Sequence, residues 1–377
     1  MVKAIGRTMV MGRNYGPQIT VKRLSTKGKK RQTIFEQIAV QIEPQEGEQL
    51  RLPSRAWKVR LIGEGADDAG GVFDETLTEM CEELERSTHG LNLLIPTPNN
   101  KADVGSSRDR FMLNPQCTSH LHLQQFRFLG IMFGVAVRTK KPVEIHLAAP
   151  VWRAIAGEEP TLADVEELDT HIMSTLRCID EIDCHGVDDE SFNSIIPLDS
   201  WEVQSCSGSF IPVVPGGRKI QLTFYNRKEY VHHAAQVRLK ECQIQIDAVR
   251  RGIARLIPAP LLTMLTGPKL EEMVCGSPEV SVVALKLITR YRDMDESEPV
   301  IKWLWEVLEE FESSQRVLFL KFVSGRSRLP VNATDLAQKF QIMKVDKGTV
   351  SLISYTVDES VYSRKLRVCR TINLGCL

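Results

Sequence analysis

The chain has 377 residues, 42% of them hydrophobic and 25% charged, with 48 Lys or Arg balancing 48 Asp or Glu. That length allows two or three packed subdomains, since single cores rarely grow beyond about 250–300 residues, and the zero formal net charge excludes a whole-molecule field that would select one kind of partner. The longest apolar stretch, 126–137, contains Arg127 and falls short of the ~20 residues needed to cross a bilayer, and no signal-peptide pattern opens the chain, so a cytoplasmic protein without a membrane span is expected.

The charge balance hides an uneven start. Between Met1 and Ile34 there are nine Lys or Arg and no acid, among them Lys3, Arg7, Lys29, Lys30 and Arg31. Residues 1–50 are therefore expected to be a basic lead-in, solvated and partly disordered. Contact of this tail with nucleic acid is the lesser alternative, because aromatic interleaving is missing.

Residues 57–62 alternate as a strand and 63–71 form a loop rich in glycine and aspartate. The spacing of Phe73, Leu77, Met80, Cys81 and Leu84 predicts a helix over 72–85. Two extended pieces, 91–95 and 110–113, flank a polar loop, and a strongly apolar helix over 121–138 is closed by Lys140-Lys141-Pro142. Short helical runs over 160–180 and a turn-rich stretch over 183–209 suggest a smaller subdomain budding from the first. A strand is expected over 219–224 after Gly216-Gly217. Val231, Ala235, Leu239, Cys242, Ile246, Val249, Ile253 and Leu256 predict one long helix that buries a single stripe until Pro258. Helices over 300–311 and 317–323 are separated by Glu312-Ser313-Ser314-Gln315, where serine offers a cap and the break a candidate hinge. Gly325 and Pro330 close the second helix, and the pattern weakens beyond Val345.

Nine cysteines, at 81, 117, 178, 184, 206, 242, 275, 369 and 376, show no paired CxxC spacing and are odd in number, so reduced thiols are expected. Cys178, Cys184 and His185 are close in sequence, but no second ligand pair accompanies them and no metal site is expected. The residues contain no phosphate loop, catalytic triad or zinc motif, and nothing in them asks for a cofactor.

Four ordered signatures over roughly 52–345 resemble the HECT ubiquitin-ligase family. The first is Gly65-Ala66-Asp67-Asp68-Ala69-Gly70-Gly71 with Val72, Phe73 and Glu75, similar to that family's strand-to-helix loop. The second, Phe126-Arg127-Phe128-Leu129-Gly130-Ile131-Met132-Phe133-Gly134, continues to Pro142 and Trp152, and its glycines let another backbone approach. The third strings together Gly216-Gly217, Leu222-Thr223, Asn226-Arg227, Glu229-Tyr230-Val231, Arg250-Arg251-Gly252, Leu270-Glu271 and Cys275-Gly276. The fourth is Trp303-Leu304-Trp305-Glu306, Phe311, Phe319-Leu320-Lys321-Phe322-Val323-Ser324-Gly325 and Arg328-Leu329-Pro330. Around 63–71 and 325–330 the wording is most similar to the very large HERC ligases.

The resemblance implies an α+β, mostly helical, bilobal fold. A large N-lobe would cover 51–311, with a small subdomain at 169–265 that docks a ubiquitin-conjugating enzyme through an apolar groove. A hinge at 312–316 and a partial α/β C-lobe at 317–377 would follow. In that family a C-lobe thiolate takes ubiquitin from the conjugating enzyme's thioester and passes it to a substrate lysine, one difficult acyl transfer split into two easier steps. The expected Thr-Cys-Phe segment after Leu-Pro is absent, and the tail from about 346 departs from the family. The resemblance thus supplies no catalytic residue here. Cys369, between Val368 and Arg370, is a secondary candidate only, and Cys376 lies one residue from the end. The reading is a ubiquitin-protein transferase by family, impaired in this chain, with ubiquitin, a conjugating enzyme and unidentified protein substrates as partners. A non-catalytic module that binds conjugating enzymes is the alternative.

Overall fold

The computed structural model describes residues 16–23, 32–52, 55–63, 71–86, 91–277, 279–324, 328–330, 340–345 and 349–353. Residues 65–70 of the first signature, Gly325, Cys369, Cys376 and the lysines and arginines at 3, 7, 29, 30 and 31 lie outside the described residues.

The main core begins earlier than the sequence suggested. Strand β1 (Gln18–Val21) pairs in parallel with β2 (Lys58–Leu61), burying Ile19, Val21, Val59 and Leu61. Helix α1 (Ile34–Ile42) starts at Thr33, whose hydroxyl accepts from Glu36 N–H in a capping box, and it buries Ile34, Phe35, Ile38 and Ile42. Its first turn is also held by the buried Glu83 carboxylate of α2 (Gly71–Glu85), which accepts from the Ile34 and Phe35 N–H groups at 2.9 Å each. A carboxylate is favoured there by the free donors and the dipole of a helix start. The described parts of 1–50 are thus core rather than solvated lead-in. The basic bias misled because the Lys and Arg lie outside 18–21 and 34–42, where Ile19 and Val21 alternate inward and Ile34, Phe35, Ile38, Ala39 and Ile42 recur at helical spacing.

Strands β3 (Leu94–Pro96) and β4 (Phe111–Leu113) form an antiparallel pair around α3 (Pro98–Ala102). Helix α4 (His120–Thr139), capped by Ser119, runs through the middle of the core, with Phe128 meeting Phe35 edge-on at 5.0 Å between ring centroids. Its partner is α10 (Gln243–Ala254). At their crossing a Cβ on Gly130 would overlap the Val249 carbonyl, and one on Gly252 would overlap the Arg127 carbonyl. The expected close backbone approach at Gly130 is therefore met, and Gly252 supplies its reciprocal. Arg138, 3% exposed, donates through Nε to the Leu256 carbonyl at 2.7 Å, and burial, with help from Arg51, lowers its pKa to about 10. Helices α5 (Ala149–Ala156), α11 (Ala259–Leu262) and α12 (Gly267–Cys275) complete this core.

A second core joins α6 (Leu162–Leu168), α7 (Thr170–Asp180), α8 (Asp189–Ile195), the hairpin β5 (Glu202–Gln204) to β6 (Phe210–Pro212), and α9 (Arg227–Lys240). Met173, Leu176, Phe192, Trp201, Leu222 and Tyr230 fill it. The single helix expected over 231–256 is two helices, α9 and α10, broken at Glu241 and Cys242. Tyr230 and Ala234 face the second core, whereas Ile246, Val249 and Ile253 face the first. One sequence stripe therefore serves two cores that require different axes. The strand expected over 219–224 is also absent, since Gly217–Lys219 is a 3-10 turn and Gln221 makes only an isolated bridge to Ser200.

The third core gathers α13 (Val282–Leu287), β7 (Thr289–Arg292), α14 (Pro299–Glu310) and α15 (Ser313–Ser324). Strand β8 (Phe340–Val345) lies parallel to β7 and antiparallel to β9 (Thr349–Ile353). Leu304 and Leu308 of α14 and Leu320 and Val323 of α15 belong to this one core, so the break at 312 turns the chain within a packed unit. The turn is pinned: Arg316 donates to the Leu308 and Glu309 carbonyls at 2.9 and 2.8 Å, and Glu312 N–H donates to the Gln315 side chain at 2.9 Å. The passage from the main core to the third core runs through Gly276, whose φ of +70° and close approach to the Leu329 carbonyl both exclude a side chain.

Candidate functional site

The second core carries an apolar surface that its own packing does not consume. Asn226 builds a tight turn, its side chain accepting from Thr223 N–H at 2.8 Å and donating to the Gln221 carbonyl at 2.9 Å. The turn pushes Tyr225 outward to 79% exposure. Beneath it Phe224 is clamped, edge-on to the buried Phe192 at 6.1 Å and capped by the Arg227 guanidinium 4.0 Å from its ring centroid. Arg227 is held by Asp183 at 2.8 Å, and that ion pair keeps the Asp183 carboxyl below the usual aspartate range. Ile195, one residue short of a full turn beyond Phe192 on α8, is 51% exposed, and Ile220 and Phe210 also open to solvent. Aromatic groups on a rigid base lose little freedom when a partner covers them. The Leu222-Thr223 and Asn226-Arg227 pieces of the third signature are thus the turn that presents this face.

The thiols divide differently. Cys81, Cys117, Cys206 and Cys275 are buried, Cys242 is half-buried, and Cys178 and Cys184 are exposed. Burial pushes the Cys81 and Cys117 thiols up and that of Cys275 to about 12, while Cys206 is raised by its hydrogen bond with Cys242 and then by burial. A nucleophilic cysteine needs a lowered pKa and access, and none of these four has either. The donor atoms of Cys178, Cys184 and His185 do not converge. Among the described residues the one grouping of such donors is Cys206, Glu241 and Cys242. No sequence signal reveals that trio, because Cys206 lies 35 residues from Glu241 and only the fold brings the two together. Nor is any described helix long and apolar enough to cross a membrane.

The chain matches the HECT-domain (ubiquitin-transferase) family over residues 78–359. It is 37% identical over 357 residues to E3 ubiquitin-protein ligase HERC2 of Mus musculus, which covers 92% of this chain and 7% of that protein. The Homo sapiens HERC2 gives the same identity and coverage. E3 ubiquitin-protein ligase RSP5 of Saccharomyces cerevisiae is 28% identical over 311 residues, 80% of this chain and 36% of its own length. The chain thus spans about 7% of the length of the two HERC2 relatives.

Proposed function

Since this chain belongs to the HECT family of ubiquitin-protein ligases, we propose that its second core docks a ubiquitin-conjugating enzyme through the Tyr225 face and that the chain works in ubiquitin transfer in the cytoplasm. The observation that carries this reading is the outward Tyr225 on a fixed edge-on Phe224–Phe192 pair, in a core that also leaves Ile195 and Ile220 exposed. Exposed aromatic and aliphatic anchors on a rigid base are what binding hot spots use. The seven described cysteines are all free, which suits a reducing compartment.

Transfer requires a thiolate to attack the thioester carbonyl of the docked enzyme, with the reacting atoms brought within ~3–3.5 Å by relative motion of the lobes. We place that motion at the Gly276 passage, because the break at 312–316 is pinned within one core. The sequence holds no Thr-Cys-Phe segment, so the chain is read as docking-competent and impaired in forming its own ubiquitin thioester. That same feature favours the second reading, a module that binds conjugating enzymes without catalysis.

One assay separates the readings. Purified chain mixed with activating enzyme, a charged conjugating enzyme and ubiquitin is expected to bind the conjugating enzyme and to show no thiol-reducible ubiquitin adduct. An adduct that disappears in Cys369→Ala restores full catalysis and removes the impairment. Absence of binding that Tyr225→Ala could weaken removes the docking face.

A further inference from the structure

Three donors outside the docking face meet where the main core joins the second core. Cys206 lies in the β5–β6 turn, Glu241 and Cys242 form the break between α9 and α10, and their sulfur and carboxylate oxygen atoms all lie within 4.8 Å of one another. Sulfurs bound tetrahedrally to a zinc ion at ~2.3 Å stand roughly 3.8 Å apart, so this spacing fits a cation with small adjustments.

The donors are held in place. Glu241 Oε1 accepts from Cys206 N–H at 3.1 Å and Oε2 from Arg238 at 3.0 Å, while the Cys242 thiol donates to the Leu113 carbonyl of β4 at 3.3 Å. Arg238 faces two carboxylates, Glu241 and Asp169, and the three side chains are 2%, 5% and 11% exposed. One arginine against two carboxylates leaves a buried negative charge unbalanced beside two thiols, an environment that favours a cation. Cys206 is 2% exposed, whereas Cys242 is half-buried and gives an ion a way in.

We propose that Cys206, Glu241 and Cys242 form a binding site for a soft divalent cation of the zinc class, with water as the remaining ligand. On binding, each thiol releases its proton to solvent, so one divalent ion replaces two protons and the charge of the site is unchanged. The ion would clip the β5–β6 turn to the α9–α10 joint, replacing the Cys242 hydrogen bond to Leu113 that the deprotonated sulfur can no longer donate, and so fix how the second core is held on the first. This inference stands apart from ubiquitin transfer and requires no catalytic competence.

Cobalt(II), added to the full reduced chain, tests it by the near-ultraviolet sulfur-to-cobalt charge-transfer absorption that thiolate ligation produces. The expected result is a band saturating at one equivalent, erased by zinc, lost in Cys206→Ser and in Cys242→Ser, and kept in a Cys178→Ser/Cys184→Ser double variant. A second arm needs no variant and decides the matter if Cys206→Ser does not fold. At zinc a hundredfold above its Kd the free-site fraction falls about a hundredfold, and alkylation of Cys242 should slow in proportion. No band, a band lost with the exposed pair Cys178 and Cys184, unchanged alkylation, or a disulfide between Cys206 and Cys242 in place of the metal each overturns the site.

Discussion

The crossing of α4 and α10 and the second core beside it solve the same problem by opposite means. At the crossing, backbones touch where Gly130 and Gly252 remove side chains, and the surroundings are apolar and almost fully buried. In the second core a smaller apolar cluster is tied down by long-range polar clamps. Arg238 joins Asp169, Glu241 and the Gln204 carbonyl, Arg153 joins Asp164 and Glu167, and the Tyr230 hydroxyl donates to the Glu202 carbonyl at 2.8 Å. The first region is fixed by shape, which tolerates no added volume. The second is fixed by charge and hydrogen bonds, and a missing partner should hurt it more than a missing methyl.

The sharpest way to break this contrast is to add volume where backbones touch. Gly130→Val with Gly252→Val should cost more than about 5 kcal/mol, comparable to the whole stability of an ordinary domain, and should leave no soluble folded chain. A soluble double variant with unchanged far-ultraviolet circular dichroism would show that the crossing is not volume-limited. Arg238→Ala comes next, at about 3 kcal/mol, because it leaves two nearly buried carboxylates without their cation. Hydrogen exchange should then show protection lost in α7 and α9 while α4 keeps its own. Equal loss in both regions would mean that the two cores unfold as one.

Tyr225→Ala sharpens the comparison from the functional side. At 79% exposure its effect on stability should stay within about 0.5 kcal/mol, whereas binding of a conjugating enzyme should weaken by about 2 kcal/mol, as titration calorimetry would read. The smallest effect concerns acid. Burial pushes the Asp164 carboxyl up, but the Thr161 hydroxyl and N–H together with Arg153 outweigh it and hold the group below its ordinary value. A depressed folded pKa contributes stability that is complete above the unfolded aspartate pKa of about 3.9 and disappears as pH falls through the lower folded value. Melting temperatures between pH 6 and pH 2.5 should therefore fall less steeply in Asp164→Asn than in the parent chain. Parallel curves would remove Asp164 from the clamp.

The same contrast explains what could be read from the sequence. Helices α2, α4, α14 and α15 were legible because each repeats its apolar residues every three or four positions and carries recognisable ends. Gly130 announced the close approach because glycine within an apolar helix has few other uses. The break at Glu241 and Cys242 was not legible, since apolar spacing continues through it and only the demands of two separate cores bend the axis. The clamps were hidden for a related reason: Arg238 reaches Asp169 across 69 residues, and local spacing carries no trace of that pairing. Of the proposed docking face, the family wording located the turn, but the exposure of Tyr225 came only from the fold. Cys369 and Cys376 lie outside the described residues, so the sequence alone speaks for them.

The parallel pairing of β1 with β2 also bears on where this polypeptide can be shortened. A fragment begun at residue 78, where the family match starts, would discard Ile19, Phe35, Trp57 and Phe73 and strip the outer wall from Phe128. Glu83 would keep its carboxylate but lose the α1 amides it binds. Such a fragment would expose a sticky aromatic scar along α4 and should precipitate on expression, so the smallest stable fragment has to reach back to the first described strand.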